Sequence, residues 1–194
     1  MSETMKQIVL ASRPDGAPTP ENFRLEEHPV PQPAEGEVLV RVHYMSLDPY
    51  MRGRMDDAKS YAANIPVDGK MEGGAVGEVI ASKADGFKEG DFVMGGFGWA
   101  THAVALGKTL TKIDPDAAPI TYSLGVLGMP GLTGWYGLTE IGKPKEGETV
   151  VVAAATGPVG SMVGQIAKAR GLRTVGIAGG PDKCKMAVEH FGFD

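Results

Sequence analysis

One cysteine in 194 residues, Cys184, leaves no partner for an intramolecular disulfide and no four-cysteine zinc set. Such sparing use fits a reducing compartment. No apolar run approaches the roughly 18 residues that a membrane-spanning helix needs, and the opening MSETMKQIVLA lacks the basic-then-apolar plan of a signal peptide. A cytoplasmic location without a membrane partner is therefore expected. Runs of lysine and arginine are also missing, and the formal net charge is −5, which disfavours a general electrostatic hold on nucleic acid. A small anion held by one local cation stays compatible with that balance.

Glycine is abundant instead, at 28 residues, about twice the ordinary share of roughly 7%. It is spread along the chain and implies tight turns and close backbone approaches. Up to about residue 120, short alternating or β-branched runs are cut by glycine and proline: 6–11, 23–30, 37–48, 75–82, 91–97 and 101–106. They predict an antiparallel barrel or sandwich, with polar turns at 31–37 and 83–91.

After residue 115 the texture changes. Residues 116–142 carry two helix-like segments, with Pro130 in a first turn and Gly142 as a stop. The apolar run TVVVAAA (149–155) reads as a buried parallel strand, followed by a helix over 161–171, a second strand over 172–178 and a second helix over 181–192 opened by Pro181. The expected fold class is α/β: an antiparallel β domain over 1–125, then connecting helices and the first half of a Rossmann-type parallel βαβα domain over 126–194.

Between the first parallel strand and its helix lies Ala155-Thr156-Gly157-Pro158-Val159-Gly160, the dinucleotide fingerprint with alanine in the first glycine's place. Gly157 would admit a pyrophosphate to the backbone. Gly160 would let the helix pack on the strand, and the helix N-terminus would offer free N–H groups and a positive dipole end. The blander reading is a plain strand-to-helix turn. At the end of the second strand, where an acidic residue would bind the ribose hydroxyl of NAD, stand Gly179 and Gly180, followed by Lys183. A missing carboxylate and a nearby ammonium favour a 2′-phosphate, hence NADP(H), against the alternative that Lys183 is a solvated helix residue and Asp182 a simple carboxylate at the helix N-terminus.

The stretches VHYMSLDPYMRGRM (42–55), GGAVGEVIAS (73–82), LGMPGLTGWYGL (127–138), VVVAAATGPVGSMVGQIAKARG (150–171) and GGPDKC (179–184) together cover much of the chain. Through them it resembles the medium-chain dehydrogenase/reductase superfamily, a GroES-like β domain followed by a Rossmann domain. The likeness is to its zinc-independent branch of prostaglandin reductases, leukotriene B4 12-hydroxydehydrogenases, plant alkenal double-bond reductases and bacterial curcumin reductases. In that alignment Met45 and Met71 stand where zinc-containing relatives have a cysteine and a histidine, and neither side chain supplies a thiolate or imidazole. His28, His43, His102 and His190 are scattered, so no metal site is expected.

The resemblance implies reduction of an activated carbon–carbon double bond in a small apolar enal or enone by NADPH, without zinc. Tyr50 is the candidate catalytic donor to the substrate carbonyl, because a phenol near pKa ~10 stays protonated at neutral pH; packing of a loop tyrosine is its plain alternative. Tyr61 is a second substrate-side candidate. Met129 and Thr133, with Gly131, resemble the segment beside the nicotinamide, although core packing would also suit Met129. Trp99, Trp135 and Tyr136 suit either an apolar cleft or a core. An NADPH:quinone oxidoreductase and a non-catalytic NADPH-binding protein are the alternatives. Residues 149–194 supply only the first two strands of such a Rossmann domain. The chain is therefore expected to be the N-terminal part of a longer, homodimeric protein, and alone to bind NADPH poorly and turn over no enone.

Overall fold

The computed structural model describes residues 4–194, which separate into two compact units, up to Thr121 and from Tyr122. The first is antiparallel throughout. Strands β1 (Thr4–Leu10) and β2 (Phe23–Pro29) form a hairpin-like pair. Five more, β3 (Glu37–Met45), β4 (Ala75–Ser82), β5 (Phe92–Gly95), β6 (His102–Leu106) and β7 (Thr111–Ile113), form a sheet in the order β6-β3-β4-β5-β7. Isolated bridges from Gln7 to Ala100 and from Val9 to Lys70 carry β1 onto neighbouring loops.

Alternation decides which faces are buried. Val38 and Val40 of β3, Ala75 and Val79 of β4, Val93 and Ala103 pack with Phe97 into one core. Full burial of each valine contributes about 1.5–3 kcal/mol. The β3–β4 register slips twice, between Leu39 and Val40 and between Val42 and Tyr44, as bulges do at strongly twisted pairs. Gly77 lies within this pairing, where a Cβ would overlap the carbonyl oxygen of Arg41, so only glycine permits the approach.

A second core of Leu10, Met55, Ile65 and Met71, flanked by Ile8, Phe23 and Trp99, anchors the short helix α1 (Tyr50–Arg54). This helix interrupts the expected all-β pattern. Strand β7 has no signal in the sequence, because three residues carry no alternation. The remaining strands of this unit fall within a few residues of the expected runs, shortened at Met45 and Gly95 by the loops that follow.

The second unit is helical, then parallel. Helix α2 (Met129–Tyr136) begins with Pro130 in its first turn and continues as a π-helical segment, Gly137–Gly142, closed by Lys143 in the left-handed region at φ 46°. Strands β8 (Thr149–Ala153) and β9 (Arg173–Ile177) pair in parallel, with α3 (Pro158–Ala169) between them and α4 (Pro181–Glu189) after. Helix α3 starts three residues before the expected 161, a correction with a simple cause. Proline at the first helical position has φ already set and lacks only an N–H that would be unpaired there anyway.

Phe193 and Asp194 fold back over this unit. A Cβ on Gly164 would overlap the Phe193 ring and one on Gly176 would sit 3.1 Å from it, so both glycines make room for that ring. The Asp194 carboxylate accepts the Thr174 N–H at 2.8 Å and pairs with Lys168. Lys168 above all, then the backbone donor, holds the Asp194 carboxyl down at about 2. A depressed folded pKa stabilises above the ordinary aspartate value, and that contribution disappears as pH falls toward about 2. Asp194→Asn is therefore expected to lower the melting temperature at pH 7, with a difference from the parent that shrinks as pH falls through about 2. Equal melting at pH 7 would show that the contact contributes nothing.

Candidate functional site

The carboxyl ends of β8 and β9 lie side by side, since Ala153 pairs with Ile177 and the Ala155 N–H donates to the Ile177 carbonyl at 3.1 Å. Both helices start from this edge. Ala154 leaves β8 in the left-handed region at φ 51°, and its carbonyl accepts the Gly157 N–H at 2.8 Å, closing a tight turn. Gly157 caps α3 in an extended conformation and Ser161 donates back to it at 2.9 Å. The N–H groups of Val159 and Gly160 come before Ser161, the first residue to donate within the helix, and Pro158 has no N–H.

The four loop residues divide the work. A Cβ on Gly157 would touch only the Ala154 carbonyl oxygen, at 3.2 Å, so its outer side is open. Pro158 and Val159 are exposed. Gly160 is buried, and a Cβ there would overlap the same carbonyl, which fixes it as the close-packing glycine between helix and strand. Together the open backbone, free N–H groups and helix dipole form a cradle for an anion.

At the end of β9, Gly179 has open space around it and Gly180 caps α4 at φ 90°, ψ 165°, a conformation that glycine alone adopts readily. Lys183 follows in the first turn of α4, exposed and without an ion pair among the described residues. The fold thus brings the Gly157–Gly160 loop and the Lys183 turn to one edge of the parallel pair. Helix α2 joins them through Gly134, where a Cβ would lie 3.2 Å from the Val159 carbonyl and 3.3 Å from Val163. Met129 is 56% exposed and so is not a core residue, and Thr133 one turn on donates its hydroxyl to the Met129 carbonyl at 2.7 Å.

In the first unit, Tyr50 opens α1 half-buried, and its hydroxyl makes no hydrogen bond among the described residues. Burial, reinforced by the Asp48 carboxylate, pushes the phenol above its ordinary value, so it remains a proton-bearing donor. Tyr61 is 88% exposed. Trp99 stacks on Phe23 at 5.4 Å between ring centres, whereas Trp135 and Tyr136 stay partly exposed on α2. Met71 is wholly buried in the second core, and Met45, at the end of β3, borders a shallow groove with Trp99 and Leu25. Among the described residues no group of three or more His, Cys, Asp or Glu is placed to hold a metal ion.

Residues 6–113 match the family model described as the N-terminal domain of oxidoreductase. The chain belongs to this oxidoreductase family. It is 55% identical over 189 residues to the NADPH-dependent curcumin reductase of Escherichia coli (strain K12), covering 97% of this chain and 55% of that protein. Prostaglandin reductase 1 of Bos taurus is 41% identical over 182 residues, covering 92% of this chain and 53% of its own. The crystal structure of CurA from Vibrio vulnificus in complex with NADPH superposes with a TM-score of 0.92 at 54% identity, covering 97% of this chain and 56% of that one. The chain spans about half the length of the relatives it matches. Its architecture, an antiparallel unit followed by parallel strands and helices, is that of these reductases.

The ion pair between Arg54 and Glu72 has no signature in the sequence. Arg52 has a carboxylate partner four residues on, Asp56 at 2.6 Å, which spacing reveals. The partner of Arg54 lies across a long loop and no local pattern announces it.

Proposed function

We propose that this chain provides the substrate side and the beginning of the nucleotide-binding side of an NADPH-dependent reductase acting on activated carbon–carbon double bonds of small apolar enals and enones. The observation that carries the reading is the shared edge of β8 and β9, where an open glycine loop, a helix N-terminus and Lys183 stand together and the strand-end positions that would hold an acidic residue are Gly179 and Gly180, the nearest carboxylate in sequence being Asp182 in the first turn of α4. Support comes from relatives named as NADPH-dependent curcumin reductase and prostaglandin reductase, and from a neighbour solved with NADPH.

The residues present fit NADPH. The N–H groups of Val159 and Gly160, with the open Gly157 and the exposed Pro158, would hold the pyrophosphate, and Lys183 the 2′-phosphate. Met129 and Thr133 would border the nicotinamide. When bound, the cofactor supplies a hydride to the β-carbon of the substrate. Tyr50 donates a hydrogen bond to the substrate carbonyl oxygen, which gains charge as the double bond is reduced. Tyr61 closes the substrate side. In this reading Met45 and Met71 leave the carbonyl to hydrogen-bond donors, with no zinc.

The full-length protein, treated exhaustively with chelator, is expected to keep its NADPH-dependent reduction of an enone. Faster turnover of a quinone with no saturated enone product would favour the quinone oxidoreductase instead. NADPH binding without turnover of any enal, enone or quinone would favour a non-catalytic binder. A cytoplasmic, homodimeric protein without nucleic-acid partners completes the reading, and no described helix is long and apolar enough to cross a membrane.

A further inference from the structure

We propose that Arg54 is a positioning residue, whose guanidinium holds the loop carrying Tyr61 against the helix carrying Tyr50. The inference rests on the reading of Tyr50 and Tyr61 as the substrate-side residues, and it adds how their arrangement is kept.

Between Met55 and Ile65 the chain forms only turns and bends, so few backbone hydrogen bonds fix it internally. It is pinned at its two ends. At the near end, Arg13 donates to the Met55 carbonyl at 2.6 Å. At the far end, three contacts converge on Arg54. Its Nε donates to the Ala63 carbonyl at 2.9 Å, its Nη1 pairs with the Glu72 carboxylate, and its own carbonyl accepts the Ile65 N–H at 2.8 Å. Tyr61 stands two residues before Ala63, so the guanidinium grips the loop beside it.

The two arginines of α1 divide their partners. Arg52 reaches Asp56 and the Gly16 carbonyl, tying the helix to the 14–16 loop. Arg54, with a side chain only 17% exposed, reaches the 56–65 loop at Ala63 and Glu72 beyond it. Half-exposed Glu72 makes the charge attraction modest, so the planar fork matters more than the ion pair. A guanidinium donates to a carbonyl and a carboxylate at fixed angles, whereas an ammonium is a point donor that does not reproduce both.

The test compares Arg54→Ala, Arg54→Lys and Glu72→Gln in the full-length protein by hydrogen exchange and steady-state kinetics. Both Arg54 variants are expected to exchange about tenfold faster over residues 56–64. The enone KM should rise about tenfold, with kcat within about threefold and the KM for NADPH unchanged. Glu72→Gln, which keeps the Ala63 bond, should stay within about twofold of the parent. Should Arg54→Ala fail to fold, Arg54→Lys carries the same comparison. Unchanged exchange over 56–64 would overturn the proposal, and so would faster exchange with an unchanged enone KM, which would mark a purely structural clamp. A protein that reduces no enone would refute the reductase reading instead, while exchange over 56–64 would still decide whether Arg54 holds the loop.

Discussion

Lys183→Ala is expected to weaken NADPH binding by one to two orders of magnitude and to leave NADH nearly unchanged. The reason lies in what stands at the end of β9. An acidic residue there would attract the ribose hydroxyls of NADH and repel a 2′-phosphate, but the positions are Gly179 and Gly180. Lys183 follows in the first turn of α4, exposed and without an ion pair among the described residues, so no internal partner competes for its ammonium. A charge-assisted contact of this kind contributes about 1.5–3 kcal/mol, which is roughly a 10- to 100-fold change in Kd. Fluorescence titration of both cofactors against the full-length variant measures it. Equal losses for NADPH and NADH would remove Lys183 from the site.

Tyr50→Phe should lower kcat for enone reduction by about 10²–10³-fold with little change in the NADPH Kd, the scale seen when one preorganised donor to a developing oxyanion is lost. The substitution removes only the hydroxyl, and that hydroxyl has no hydrogen-bond partner among the described residues, so no internal contact is broken. Burial and the Asp48 carboxylate keep the phenol protonated beyond its ordinary range. The tyrosine-dependent part of the rate should therefore be flat across neutral pH. A kcat within twofold of the parent would assign Tyr50 to packing.

Much of this arrangement was legible because proline and glycine act locally. Pro130 and Pro181 each sit in the first turn of a helix, where a fixed φ helps and a missing N–H costs nothing, whereas Pro158, which opens α3 in the same way, lies ahead of the start expected at 161. Gly160 was readable as a packing glycine, and the overlap that a Cβ would make with Ala154 is the physical content of that reading. Ala154 was not readable, because its left-handed backbone is imposed by the turn and alanine gives no sign of it. Strand β7 is held by its pairing with β5, and of the π-helical segment after α2 only Leu138 is buried. The Arg54–Glu72 pair is likewise a tertiary contact. Exposure separated Met129 from the core, a distinction that an isolated methionine in sequence does not carry.

The most direct measurement follows the hydrogen itself. The full-length protein is incubated with an enone and NADPH carrying deuterium at the transferable position of the nicotinamide, and the product is read by NMR. Reduction of the carbon–carbon double bond gives a saturated ketone with one deuterium on the former β-carbon and a solvent-derived hydrogen on the α-carbon. Deuterium on the carbonyl carbon of an allylic alcohol, with the double bond intact, would contradict it.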